Sequence, residues 1–473
     1  MDLFEALDKI GELTPVALPL IFGAGLGFLA LAKAKEARGK LPFRSFLERN
    51  GKRPYITTRN PKKINGIFLG KMGGMGGYIF LPPEAEAHLL IIGPSGVGKT
   101  SCFLIPSIQR WQGTGFYIDI EGDIVANARA RDMVVWKPSD PNGLPYNLFG
   151  HIDSMDTEEE KNKALEELAH LLLPPVDETA SDASKYFNKG GRNYLTASLI
   201  GYYGEGWDFC DICRKVVSTP AIELFKDLYK LGNELVDIYI AGFHGGSEKN
   251  ASGCKQVCDD AIRAFAVDPR LRETICRPKP GMSCITSDSV ETNNVFAVVS
   301  RQELQVFGPL LGAISAQVLH HLAGRSGRNS APILLALDEF TSLGRMDTLV
   351  EALQTFRKRN VRIMLCTQAI SDIDETYGYN KRKSIMTNCI YQCVLGVDDP
   401  SEQKEFAERV GRQFVERCST TSSPNGRSYT TSQTEEWIIP PSKLRNMRKK
   451  YLLLHPDGHI IAKKIAFFNR KWR

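Results

Sequence analysis

Residues able to hold and cleave a phosphoanhydride gather at three places in the 473-residue sequence. The first is a glycine-rich turn, Gly93, Pro94, Ser95, Gly96, Val97, Gly98, Lys99, Thr100 and Ser101, in the pattern Gly-x4-Gly-Lys-Thr. Glycines there let consecutive backbone N–H groups turn inward on an anion, and a following helix presents its positive end. Lys99 would bridge the β- and γ-phosphates of a nucleoside triphosphate, and the Thr100 hydroxyl would bind Mg2+. The second place is the acid pair Asp338-Glu339. Asp338 can hold the magnesium shell, which leaves Glu339 to polarise the attacking water. The third is Gln368, whose amide either contacts the γ-phosphate or its water, or simply ends a strand.

Each group needs an element to aim it. His88 and the apolar Leu89–Ile92 read as a strand running directly into the glycine turn. Pro332–Leu337 is a continuous apolar run, the signature of a parallel strand buried on both faces, and the two acids stand at its carboxyl end, where ligands of open α/β sheets gather. Val361–Thr367 predicts a third strand, with Gln368 at its end. A helix over Thr348–Arg359 precedes it and closes on Arg357-Lys358-Arg359. Cations suit a helix carboxyl terminus in any case; alternatively, one of them crosses a subunit boundary as an arginine finger.

The order of these pieces resembles the type IV secretion coupling proteins, the TraG/TraD-like branch of the FtsK/HerA-type hexameric motor ATPases, over most of residues 64–473. The resemblance is carried by His88 ahead of the glycine loop and by IPSIQRW after it, with Pro106 interrupting the first helix. LLALDEFTSLGRM, RKRNVRIMLCTQ, AISDIDETYG and the terminal PPSKLRNMRKKYLLLHPDGHIIAKKIAFF carry it further. It implies that Lys99 and Thr100 bind Mg-ATP, that Asp338 and Glu339 form the hydrolytic pair, that Gln368 senses phosphate, and that Arg357 rather than Arg359 is the finger. It also implies a homo-oligomer, a ring hexamer at the inner membrane of a bacterial cell. Such a ring hands single-stranded DNA with its relaxase, or effector proteins, to a secretion channel. Two departures stand out. The family commonly has two membrane helices with a small periplasmic portion between them, and where it usually reads Asp-Pro-Lys-Gly-Glu this chain has Asp119-Ile-Glu-Gly-Asp123.

The ends of the chain differ from its body. Leu13 to Ala32 is free of charge, long enough at the helical rise for a bilayer core of roughly 30 Å, with acids before it and bases after it. That asymmetry favours one transmembrane helix with the body cytoplasmic over a cleaved signal peptide or a buried soluble helix. The net charge of +6 hides two basic stretches of +9 each, 33–63 and 443–473, around an acidic body of −9. Bulk charge therefore excludes non-specific nucleic-acid binding by the body, and any such contact requires local basic surface. The first basic stretch reads as a juxtamembrane anchor; the second suits nucleic acid or lipid equally. Eleven scattered cysteines, several inside apolar runs, fit a reducing compartment.

Between the early strands and Asn294–Val299 lie residues with helical rather than strand patterning, too many for a loop. Thr157 and Glu160 form a capping box ahead of Leu165, Leu168 and Leu172. Within this insertion Lys185–Tyr194 interleaves bases with aromatics, which serves either single-stranded nucleic acid or a packed core. The pairs Cys210/Cys213 and Cys254/Cys258, with His244 nearby, serve either zinc or a core. Ser419–Thr434, rich in serine and threonine, reads as a mobile surface loop.

The fold class expected is α/β: a RecA-like P-loop NTPase domain (64–148 and 285–473) with an inserted all-α substrate domain (149–284), a basic linker (33–63), a transmembrane helix (13–32) and a short outer tail (1–12). The function expected is a membrane-anchored ATPase motor serving a secretion channel. A soluble DNA translocase and a nucleotide-gated cargo receptor are the alternatives.

Overall fold

The computed structural model describes residues 55–469 and Trp472, apart from 74–75, 141, 177–179, 245–246, 276, 280, 328–329 and 424–425. The apolar stretch 13–32 and residues 33–54 of the basic linker therefore lie outside the described residues. Among those described, one helix is long and apolar enough to cross a membrane, Arg301–Ala323, and it is mostly buried inside the protein as a core helix.

Apolar, β-branched runs set the centre of the molecule. Strands β1 (Ile56–Thr58), β2 (Ile67–Lys71), β3 (Tyr78–Leu81), β4 (Leu89–Ile92), β5 (Thr114–Ile120), β6 (Met133–Trp136), β7 (Asn294–Val299), β8 (Ile333–Leu337), β9 (Val361–Thr367) and β10 (Tyr391–Val394) are followed by β11 (Arg412–Ser423), β12 (Gly426–Trp437), β13 (Lys450–His455) and β14 (Gly458–Lys463). Twelve form one sheet in the order β1-β3-β2-β14-β13-β10-β4-β9-β8-β5-β7-β6. From β10 to β6 every neighbour is parallel, and β4, β7, β8, β9 and β10 are buried along their whole length, as strands covered on both faces must be. The flank from β13 to β1 is antiparallel, so the parallel core carries a meander on one side.

The sheet begins earlier than residue 64: β1 pairs with β3 from Ile56↔Phe80, within the stretch expected to be linker. A second correction concerns Ser419–Thr434. The described ones, Ser419–Ser423 and Gly426–Thr434, lie in the antiparallel pair β11/β12, registered from Arg412↔Trp437 to Ser423↔Gly426. Threonine is β-branched and favours extended backbone, and the described flanks Arg412–Cys418 and Thr431–Trp437 have no buried side chain to impose an alternating apolar pattern.

Between β6 and β7 the chain is helical. Its longest helices are Glu158–Leu172, Asp182–Gly204 and Glu248–Val267, with shorter ones at Phe209–Ser218, Ala221–Lys230, Glu234–Ile240 and Pro269–Thr274. Thr157 and Glu160 close a reciprocal cap on the first, whose Leu165, Leu168 and Leu172 are buried. The apolar core runs without a break from these helices into the sheet. Trp136 Nε1 at the end of β6 donates to the Thr274 carbonyl at 2.8 Å, joining the last helix to the strand that led into the insertion. Cys210, Cys213, Cys254 and Cys258 are buried, burial raises their thiol pKa at 213, 254 and 258, and among the described residues no three or more His, Cys, Asp or Glu side chains are arranged for a metal. They fill the helical core.

His88 stitches the centre of the sheet. Its Nδ1 accepts the Ile363 backbone N–H at 3.1 Å, linking the start of β4 to β9, and burial beside Arg357 and Arg362 lowers its pKa from 6.5 to about 3. The unfolded chain therefore binds a proton below pH 6.5 that the folded chain refuses until about pH 3, so this group's contribution to stability is complete above 6.5 and is lost as pH falls. His88→Gln, which does not titrate, is expected to flatten the fall in unfolding free energy between pH 6 and 4, by up to ~1.4 kcal/mol per pH unit. Denaturant melts at several pH values check this; an unchanged slope contradicts it.

Candidate nucleotide-binding site

The glycine turn leaves β4 at Gly93, whose N–H donates to the Thr367 carbonyl of β9 at 3.2 Å. Gly96 and Gly98 have φ of +77° and +97°, conformations that side chains with a Cβ rarely adopt, and the loop closes back on itself through them. The helix that follows opens with a wide turn, Thr100–Leu104, and settles into α-geometry at Ile105–Arg110. Pro106, lacking an N–H, cannot bond back to Cys102, which accounts for the loosened winding. Lys99 is 6% exposed, and its ammonium is folded onto the carbonyls of Gly93 (2.7 Å) and Pro94 (3.2 Å).

Across the sheet, β8 delivers Asp338 and Glu339, which are 6% and 8% exposed. The Thr100 hydroxyl donates to Asp338 Oδ2 at 3.3 Å, so two groups 238 residues apart in sequence meet where a magnesium ion would sit. Burial, with Glu339 and Asp119 nearby, raises the Asp338 pKa to about 6 despite the opposing Lys99 ammonium. A carboxylate that costs this much to ionise alone is one that a bound cation would stabilise, and a lysine lying across the carbonyls of an open glycine loop is free to transfer to phosphate oxygens. The donor set therefore fits magnesium and a triphosphate.

Glu339 is held in a left-handed backbone conformation, φ +48°, which costs free energy for a non-glycine residue and aims it away from the strand axis. Its Oε1 accepts from Gln368 Nε2 at 3.1 Å and from Arg301 Nη2 at 3.3 Å. The turn after it rests on the helix Arg301–Ala323. A Cβ at Gly308 or Gly312 would lie 2.5 Å from the Ser342 carbonyl oxygen or 2.4 Å from that of Leu343. Only glycine permits that approach.

Lys99, Thr100, Asp338, Glu339 and Gln368 thus share one site at the carboxyl ends of adjoining parallel strands. Arg357 does not join it. It precedes β9, at the opposite end of a seven-residue strand, roughly 20 Å away by the strand rise, and its Nη2 donates to the Asn388 carbonyl at 2.6 Å.

The cavity of about 380 Å³ around the glycine loop also contains residues that motif reading missed: Arg301, Glu121, Asp123 and the aromatic pair Phe467-Phe468. Arg301 follows β7, and its N–H donates to Glu121 Oε1 at 3.0 Å. Asp119, at the end of β5, caps the helix Asp123–Asn127 through the N–H groups of Ile124 and Val125, and burial raises its pKa to about 6. The only available signal was position: each stands just past a strand whose carboxyl end faces the acids.

A strand, glycine loop and helix facing an acid pair across a parallel sheet define a P-loop nucleotide-binding protein of RecA-like build. Sequence comparison matches residues 47–223 to a family described as type IV secretory system conjugative DNA transfer, and residues 332–449 to the TraM recognition site of TraD and TraG. The protein VirD4 of Rhizobium rhizogenes is 22% identical over 447 residues, covering 86% of this chain and 62% of VirD4. The conjugal transfer protein TraG of Agrobacterium fabrum is 19% identical, covering 79% of this chain and 59% of TraG. Among solved structures, the bacterial conjugative coupling protein TrwBdeltaN70 in complex with sulphate superposes with a TM-score of 0.65 at 17% identity, covering 85% of this chain and 90% of that one. TrwB in complex with ADP and Mg2+ gives 0.63 at 17%, covering 81% and 85%. In sequence the chain is thus similar to the type IV secretion coupling proteins over both matched segments, and it spans about 62% of the length of VirD4.

If the two hydrogen bonds to Glu339 fix its aim, Gln368→Ala should lower ATP turnover roughly 10²-fold, the cost of a misplaced catalytic group, while leaving nucleotide affinity within about threefold. A fall in affinity as large as the fall in turnover would mean that Gln368 binds nucleotide rather than holding the base.

Proposed function

We propose that this chain is the ATP-hydrolysing coupling subunit of a type IV secretion or conjugation apparatus. The observation that carries the reading is the meeting of Thr100 with Asp338 at the foot of the glycine loop, with Glu339 beside it under Gln368 and Arg301. Lys99 and the loop N–H groups bind the triphosphate; Thr100 and Asp338 would hold magnesium, which when bound would supply charge neutralisation to the phosphates. Glu339 takes the proton of the attacking water, and Gln368 keeps its carboxylate turned toward that water.

Arg357 lies outside its own site, as a residue acting on a neighbour's nucleotide must. To act it has to leave the Asn388 carbonyl. Arg301, already on Glu339, is the arginine available within the chain. A homo-oligomer, a hexamer by family resemblance, is the assembly in which both act.

The cargo proposed is single-stranded DNA with its relaxase, or effector proteins, passed to channel components at the inner membrane, where residues 13–32 provide a single-pass anchor. The match to the conjugative DNA transfer family and the likeness to the conjugal transfer protein TraG support the DNA reading. The interleaved stretch in the insertion divides: Tyr194 is buried and Arg192 Nη1 bonds the Leu173 carbonyl, whereas Lys185, Tyr186 and Lys189 are exposed on one end of their helix, a stacking and phosphate-contacting surface of the required chemistry.

Purified protein should hydrolyse ATP faster with single-stranded DNA than without it, as an oligomer by mass measurement. Glu339→Gln should retain MgATP binding and lose turnover by 10² to 10⁴-fold, the usual worth of a general base, roughly. Substantial turnover in that variant removes the assigned base; DNA-indifferent turnover favours a cargo receptor over a motor.

A further inference from the structure

Lys464–Asn469 and Trp472 lie against the glycine-loop helix and fasten to both ends of it. Lys464 Nζ donates to the Val97 carbonyl at 2.9 Å, and the Phe467 N–H donates to the Ser101 carbonyl at 3.0 Å. At the far end Trp472 is 1% exposed: its ring centroid is 4.4 Å from that of Phe68, the Arg110 guanidinium lies over it at 4.9 Å, and its Nε1 donates to Gln109 Oε1 at 2.8 Å. Between these fastenings Phe467 is half-buried, while Phe468 is 61% exposed and faces the cavity that holds the glycine loop.

Sheet order gives this strap its direction. It descends from β14, on the β10 side of β4, whereas the carboxylates come from β8, on the β9 side. The cavity is therefore charged on one flank, with Lys99, Asp338 and Glu339, and carries aromatic carbon on the other, beside Ser101 and Ile105. A nucleoside triphosphate has the same polarity: its terminal phosphates require the first flank, and its base leaves the anion cradle past the start of the helix. A large aromatic side chain exposed in a polar cavity, with a backbone hydrogen bond just before it and the buried Trp472 ring after it, has a ring face to offer and little entropy to lose on using it.

Resting on the nucleotide-binding reading above, we propose that Phe468 is the stacking face for the nucleotide's base, held in place by the Phe467–Ser101 and Trp472 fastenings. Stacking of this kind accepts any purine and contributes affinity without touching the phosphates.

Binding of MgATP and of magnesium tripolyphosphate, which has the phosphates and no base, to the full-length chain by calorimetry separates the terms. Phe468→Ala should weaken MgATP about tenfold or more, from the usual worth of a base–aromatic stack, and leave tripolyphosphate within about twofold; Phe468→Trp should restore MgATP. Unchanged MgATP affinity in Phe468→Ala, or equal losses for both ligands, overturns the assignment while leaving the nucleotide reading intact. Wild-type protein that binds neither ligand overturns both.

Discussion

Two carboxylates and an ammonium are buried side by side at the ends of β8 and β4, and the rest of the fold is arranged to make that tolerable. Charges taken from water are stabilised only by partners in good geometry, so Asp338, Glu339 and Lys99 each need neighbours fixed to within a few tenths of an ångström. Lys99 uses the carbonyls of its own loop, Asp338 the Thr100 hydroxyl, and Glu339 the side chains of Gln368 and Arg301. Those partners come from three different strand ends, those of β4, β9 and β7. Their register is set by the parallel core, in which Ile92 stands opposite Thr367 and Leu337 opposite Leu365.

This explains what could be read in the sequence. Strands buried on both faces are continuous apolar runs bounded by the polar groups they present, so β4, β8 and β9 were legible together with their functional ends. The glycine loop was legible because its conformation restricts residue type at fixed spacing. Arg301, Glu121 and Phe468 were not, since arginine, glutamate and phenylalanine occur in many settings and nothing local distinguishes one that faces a cavity; their meaning comes from strand order, which no local pattern encodes. The β11/β12 ribbon was misread for the converse reason: its sequence has no alternating apolar pattern, so its polar composition was all there was to see.

The helical insertion and the nucleotide-binding halves are not beads on a string. The core passes from the inserted helices into the sheet, Trp136 bonds Thr274 across the entry and exit of the insertion, and Tyr146 reaches Gln317 on the core helix at 3.0 Å. Packed interiors transmit displacement and do not absorb it. The exposed Lys185, Tyr186 and Lys189 therefore stand on an element mechanically continuous with the site.

The helix Arg301–Ala323 has 23 residues, which makes it about 35 Å long at the usual rise. One end places Arg301 against Glu339; toward the other, His320 pairs with Glu167 on the inserted helix Glu158–Leu172 at 2.8 Å. Because Gly308 and Gly312 let its first half lie flush on the turn behind Glu339, the helix is clamped to the hydrolytic centre along several turns and not merely at its tip. It is in effect a rigid rod: any tilt at the Arg301 end has to appear, enlarged by leverage, among the inserted helices that His320 joins at the other.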